Sequence, residues 1–240
     1  MSEEWLSRTN LLLGEEKLNI LKNSHVLIVG LGGVGAYAAE QICRAGVGKM
    51  TIVDGDTIDT SNINRQLPAT TSNVNKDKAE VMGARLLDIN PNLDLNIKNE
   101  YLREERIGEV LVESKYDYVV DAIDTLAPKI FLIYRSLQNN LKIVSAMGAG
   151  GKTDPSKIQI ADISETYNCK LARMLRKKLH KLDVYKGVQV VFSPEDVSKD
   201  AVILDESRNK KSNVGTISYM PPLFGCFISS VVIKGLLPDK

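Results

Sequence analysis

Gly30-Leu-Gly-Gly-Val-Gly35 follows the apolar run His25–Val29 and precedes residues 36–45, which have helical character. A strand that runs into a glycine turn and then a helix makes an anion site from backbone alone. Gly30, Gly32, Gly33 and Gly35 let the chain approach a pyrophosphate, and the helix start points unpaired N–H groups at it. Asp54 closes a second β-rich run, residues 50–53, about twenty residues on, where a carboxylate can accept from ribose hydroxyls. These spacings predict an adenine-nucleotide site. Nicotinamide enzymes share the glycine pattern, so the residues that follow decide the chemistry.

Outward from this turn the chain alternates strand and helix. Residues 77–90 read as a helix stopped by Pro91, 93–98 as a strand, 105–114 as a helix and 118–121 as a strand. Residues 128–139 continue as a helix and 142–145 as the next strand. This rhythm predicts an α/β fold: a doubly wound, Rossmann-like, mostly parallel sheet with helices on both faces and ligands at the carboxyl ends of its strands. After Gly148-Ala-Gly-Gly151 the pattern changes to a strand at 158–162, an amphipathic helix at 169–182 and a strand at 188–192. Residues 205–222 read as a mobile loop and 223–237 as a buried core helix. The whole chain, 1–240, is read as one domain, with a nucleotide-binding half to residue 150 and a substrate and dimer half after it.

Composition narrows the setting. A chain of 240 residues can bury a substantial core, and a net charge of +1 neither demands nor excludes a nucleic-acid partner. Cys43, Cys169 and Cys226 stand apart with no Cys-x-x-Cys, which argues against structural zinc and a disulfide framework and fits a reducing cytoplasm. The start of the chain is acidic and polar, so no signal peptide is read there. The longest apolar stretch falls short of the roughly twenty residues a bilayer span needs, so no integral membrane insertion is expected.

Past Asp54 come Asp56, Asn62, Arg65 and Gln66, then Lys78 on the next helix, then Asp121-Ala-Ile-Asp124 at the end of a strand. A hydride-transfer enzyme has no evident use for Arg65 and Lys78 beside its nucleotide. A nucleotidyl-transfer enzyme does. ATP carries about four negative charges on its phosphates, and attack at the α-phosphorus pushes more onto the departing pyrophosphate; Arg offers a fixed fork to those oxygens and Lys a movable point charge. Asp124 can hold a Mg²⁺ that bridges phosphate oxygens, because Mg²⁺ takes one or two carboxylates plus phosphates and water.

The combination of the glycine turn, Asp54, Asn62-Ile-Asn-Arg65-Gln66, Lys78 and Asp121-x-x-Asp124 resembles the ubiquitin-activating-enzyme-like superfamily, which adenylates carboxylates with ATP. Arg8 fits that superfamily's N-terminal segment, in which an arginine reaches the neighbouring subunit's active site, so the resemblance implies a homodimer. Its sulfur-carrier-activating branches usually carry two Cys-x-x-Cys pairs, absent here. The segments 149–163, 191–195 and 215–222 are instead similar to the tRNA threonylcarbamoyladenosine dehydratases. That likeness implies adenylation of the threonyl carboxylate of the modified adenosine in tRNA, then ring closure with loss of AMP. The alternative is adenylation of the C-terminal glycine of a ubiquitin-like sulfur carrier. The sequence leaves open an additional monovalent cation and a cysteine-desulfurase or other sulfur-acceptor partner.

The helix at 169–182 adds an independent clue. Lys170, Arg173, Arg176, Lys177, Lys178 and Lys181 crowd it with no acid between them, over a stripe of Leu171, Leu175, Leu179 and Leu182. Together with Arg208, Lys210 and Lys211 it is the candidate tRNA surface. Each site residue also has a plainer reading. The glycines can serve tight packing, Asp54 can cap a turn, Arg65 and Lys78 can be solvated, and a charge run is usually a solvated face. Asp121 is read as structural. Cys43 and Cys226 are read as core and Cys169 as exposed, while His25 and His180 have no visible partners.

Overall fold

The apolar β-rich runs do form strands, and helices with one apolar stripe cover them. The computed structural model describes residues 3–204 and 212–238. Its elements are α1 (Ser7–Leu13), α2 (Glu15–Asn23), β1 (His25–Val29), α3 (Gly35–Arg44), β2 (Lys49–Val53), α4 (Lys78–Ile89) and β3 (Asp94–Lys98). There follow α5 (Glu104–Glu113), β4 (Tyr118–Asp121), α6 (Leu126–Gln138), β5 (Ile143–Ala146), β6 (Gln159–Asp162) and α7 (Lys170–Leu179). The chain ends with β7 (Gln189–Phe192), β8 (Val202–Leu204), β9 (Ser212–Val214) and α8 (Met220–Leu236).

Seven strands make one sheet in the order β3-β2-β1-β4-β5-β7-β6, parallel throughout except for β6, which runs antiparallel to β7 at the edge. The chain winds from β1 outward through β2 and β3, then returns to lay β4 on the other side of β1. That reversal opens a crevice at the carboxyl ends of β1 and β4, where doubly wound sheets hold their ligands. One core layer packs α3, α4 and α8 on the sheet, and the other packs α5, α6 and α7. Both faces are covered, which is why β1 and β4 are almost wholly apolar.

The structure corrects several expectations. Residues 212–214 pair with β8 as a two-stranded ribbon, and α8 begins at Met220, inside the stretch read as a loop. Pro221 and Pro222 fall in its first turn, where a missing N–H costs nothing. Residues 205–211, with Arg208, Lys210 and Lys211, lie outside the described residues. The basic helix ends at Leu179 and closes with a 3-10 turn, His180–Leu182. Two N-terminal helices, α1 and α2, carried no clear signal. Cys169 is buried, not exposed, and Cys226 is exposed, not core. Among the described residues no helix is long and apolar enough to cross a membrane. α8 instead packs so closely on α3 that a Cβ on Gly225 would come within 2.6 Å of the Val34 carbonyl oxygen.

His25 has partners after all. Its Nε2 meets Thr51 Oγ1 at 3.0 Å and its ring lies against Tyr116, at the amino end of β1, opposite the crevice. His180 has one as well, its ring lying against Tyr185.

Candidate active site

The glycine turn is built for close approach. Gly30 has φ +93°, and a Cβ there would lie 2.7 Å from the Ala122 carbonyl oxygen. A Cβ on Gly35 would run into the Gly30 carbonyl oxygen. The turn after β1 therefore lies directly against the turn after β4. Gly33 faces Pro221 of α8 and the Arg65 carbonyl, and Gly32 faces the Gln66 carboxamide. Four separate pieces of chain meet here.

Asp54 ties the cradle to β2. Its Oδ2 accepts the Leu31 N–H at 2.6 Å and its Oδ1 accepts the Asp56 N–H at 2.8 Å. An ionised carboxylate offers about four acceptor positions, so two remain for hydroxyl donors. Burial pushes the Asp54 carboxyl above its usual range, against the pull of those two N–H groups and of Lys78.

Asp56 continues the chain of contacts. Lys78 Nζ donates to its Oδ2 at 2.8 Å, and the Tyr101 hydroxyl donates to its Oδ1 at 2.5 Å. Lys78 is only 4 % exposed, so its charge is held in the crevice wall rather than in water. The bond to Asp56, with burial second, pushes the Tyr101 phenol up to about 12. Tyr101 stands in the loop after β3, a position that no motif marked.

Residues 60–66 fold across the glycine turn. Asp59 caps the 3-10 turn Thr60–Asn62, and Asn62 returns the favour by accepting the Asp59 N–H at 3.2 Å. The buried Asn62 side chain thus shapes the turn; the geometry gives it a local structural task rather than an open face. Arg65 is half-buried, and its Nη1 donates to the Ser61 carbonyl and to Asn64 Oδ1, each at 2.8 Å. Gln66 Oε1 is buried without a hydrogen-bond partner among the described residues. A buried acceptor left unsatisfied at the glycine turn suits a ligand that brings an amino or hydroxyl donor.

Asp121 and Asp124 have different surroundings. Asp121 is wholly buried: Lys129 Nζ lies 2.6 Å from its Oδ2, the Ser145 hydroxyl donates to the same oxygen at 2.6 Å, and its Oδ1 accepts the Ile123 N–H at 3.1 Å. This pins the turn Ala122–Thr125 from below. Asp124 stands exposed at its tip. Lys129 was not singled out in the sequence. The signal was there, because it shares a helix face with Leu132 and Ile133, where a lysine needs a buried partner.

The surroundings of two further residues, Arg8 and Arg176, bear on the roles expected of them. Arg8 is exposed on α1, and neighbouring Leu6 packs on Gly46 beyond the far end of α3. A ten-residue helix puts about 15 Å between that end and the glycine turn. The chain's own Arg8 is therefore not brought to the crevice. On α7, Lys170, Arg173, Lys177 and Lys178 are exposed, as is Lys181 just beyond it. Arg176 is not available in the same way: its Nη1 donates to the Thr166 carbonyl at 2.8 Å, to the Ile163 carbonyl and to the Thr166 hydroxyl. It anchors the helix to the preceding turn.

Comparison with known proteins bears on the family and the fold. The ThiF family model matches residues 6–239. The chain is 41% identical over 242 residues to the tRNA threonylcarbamoyladenosine dehydratase of Bacillus subtilis, covering 97% of this chain and 94% of that protein. It is 37% identical over 205 residues to the Escherichia coli enzyme of the same name, covering 81% of this chain and 76% of that one. A crystal structure of the Escherichia coli dehydratase in complex with ATP superposes with a TM-score of 0.88 at 33% identity, covering 98% of this chain and 96% of that one.

Proposed function

Because the chain belongs to the ThiF family, we propose that it is an ATP-dependent tRNA threonylcarbamoyladenosine dehydratase working through an acyl-adenylate. The observation that carries the reading is the linked cradle: a glycine turn bonded to Asp54, Asp54 to Asp56, and Asp56 to the buried cation Lys78, with the Arg65 backbone carbonyl against the turn. The near full-length likeness to dehydratases supports the choice of substrate. The sulfur-carrier alternative has less support, since the cysteines are scattered and no metal-holding group of His, Cys, Asp or Glu occurs among the described residues.

In this reading the glycine turn and the start of α3 take the phosphates, Asp54 the ribose hydroxyls, and Arg65 and Lys78 the triphosphate oxygens. The threonyl carboxylate oxygen attacks the α-phosphorus, the bond to the β-phosphate oxygen breaks, and pyrophosphate leaves. The carbamoyl group of the same side chain then attacks the activated carbonyl. The ring closes, a proton is lost, and AMP departs with the carboxyl oxygen that the nucleoside gives up. Ring closure is intramolecular, so holding the two ends together supplies much of the rate and no protein nucleophile is needed. Asp124 suits Mg²⁺, a single exposed carboxylate beside a phosphate cradle, and the ion would neutralise charge on the triphosphate.

The surface supports two further parts of the reading. Helix α1 buries no residue, and Leu11 and Leu12 are 81% and 83% exposed. A second copy of the chain is the cover proposed for that helix, and a second copy's Arg8 is the one proposed to serve this crevice, which the chain's own Arg8 does not reach. The exposed cations of α7 form the tRNA-facing surface, in a cytoplasmic setting where reduced thiols persist. Replacing Lys177 and Lys178 with Gln is expected to make log K for tRNA less steep against log salt by about 1.5–2, with ATP affinity unchanged. Binding isotherms across a salt series check this, and an unaltered slope removes α7 from the interface.

The direct test of function is AMP release from ATP and Mg²⁺ with threonylcarbamoylated tRNA set against unmodified tRNA. AMP with the modified tRNA only, together with loss of one water from the nucleoside by mass spectrometry, is the expected result. No AMP with either tRNA would sink the proposal.

A further inference from the structure

Asn64 spans two parts of the fold with one carboxamide. Its Oδ1 accepts from Arg65 Nη1 at 2.8 Å, and its Nδ2 donates to the Thr216 carbonyl at 2.9 Å, across 152 positions of sequence. Thr216 lies in the segment between β9 and α8. That segment is tied on its other side to the loop after β5: the Gly151 N–H donates to the Gly215 carbonyl at 2.7 Å, and the Tyr219 hydroxyl to the Thr153 carbonyl at 2.9 Å. Gly150 leaves no spare room there, since a Cβ would meet Thr216 Oγ1 at 3.1 Å. Residues 214–219 therefore stretch from the loop after β5 to the turn that carries Arg65.

The contact matters because of how Arg65 is held. Both of its hydrogen bonds among the described residues run from Nη1. A guanidinium pinned at one nitrogen has its plane oriented while its other donors remain for phosphate oxygens. We infer that Asn64 is a positioning residue that couples the 214–219 segment to Arg65, so that seating of the segment and seating of the triphosphate favour each other. The inference rests on the reading that Arg65 meets ATP. Coupling of this kind is reciprocal: if the segment's position biases Arg65 toward ATP, ATP must bias the segment.

Hydrogen exchange on the full chain, with and without ATP, tests it. In the unaltered protein ATP is expected to slow exchange of the amides in 214–219 several-fold. In Asn64→Ala that ATP-dependent protection is expected to vanish while the Kd for ATP stays within about threefold. With threonylcarbamoylated tRNA, kcat for AMP release is expected to fall about tenfold, the effect of losing one or two hydrogen bonds, with KM for tRNA little changed. Asn64→Gln, which keeps both polar groups, is expected to recover part of the protection and part of kcat, and it serves if the alanine variant folds poorly. Equal ATP-dependent protection in the unaltered protein and Asn64→Ala overturns the inference, as does an unchanged kcat. The exchange arm needs no tRNA. A protein that shows the coupling but releases no AMP would therefore overturn the dehydratase reading alone.

Discussion

Lys78→Ala is expected to slow AMP formation by about 10²–10³-fold while tRNA binding persists, the scale seen when one donor to a developing charge is removed. The reason lies in where the charge is kept. Lys78 Nζ is buried at the first turn of α4 and bonded to Asp56, one step from the carboxylate that ties down the glycine turn. As pyrophosphate leaves, negative charge grows on the phosphate oxygens, and a cation kept out of bulk water stabilises it more than a solvated one. Lys78→Arg is not expected to restore the rate, because the planar fork does not fit a pocket filled by a single ammonium. Losing Lys78 leaves Asp56 half-exposed and still bonded to Tyr101, so folding should suffer little. Single-turnover AMP release beside a tRNA binding isotherm makes the check. Loss of tRNA binding, or an unchanged rate of AMP formation, would move Lys78 to another role.

The glycine turn was legible in the sequence because its requirement is steric and local: Gly30 and Gly35 sit where a Cβ collides with backbone. The strands were legible because a sheet covered on both faces needs unbroken apolar runs. The first turn of α8 was not, because Pro221 and Pro222 read as loop chemistry until the helix they begin is seen. Helix α1 was silent for the opposite reason. None of its residues is fully buried in this chain, and with Leu13 alone of its leucines packed on the core it carries no periodic stripe to read. Cys169 and Cys226 changed places because burial depends on which way each side chain faces, Cys169 from the extended residue before α7 and Cys226 from within α8, and a single residue in an ambiguous stretch cannot say. Within the site, the short-range partners Asp54 and Asp56 were readable from spacing. The Asn64–Thr216 contact was not, since nothing local links positions 152 apart. The anchoring of Arg176 was not legible either, because charge alone does not reveal that its Nη1 donates to the carbonyls of Ile163 and Thr166.

Lys129→Met should destabilise the protein by about 3–5 kcal/mol, because it leaves Asp121 buried without its cation. The pair is wholly inaccessible to water, and Ser145 completes it from β5 with its hydroxyl on the same oxygen. For a chain of this size that loss is a fall in Tm of roughly 6–20 °C, read by thermal or urea unfolding. Exchanging both partners for apolar residues, Asp121→Leu with Lys129→Met, should recover much of the stability, because no charge is then left unpaired. The double variant separates folding from function. Asp121 Oδ1 also accepts the Ile123 N–H, so its carboxylate holds the turn that abuts Gly30 and presents Asp124. With Leu at 121 that anchor is gone even if the core is restored. A double variant that regains Tm yet binds ATP about tenfold or more weakly shows that the buried pair serves the shape of the nucleotide crevice. Recovery of both would reduce the pair to a packing element, and a single Lys129→Met variant within 1 kcal/mol of the parent, on the scale of an exposed ion pair, would show that Asp121 does not depend on it.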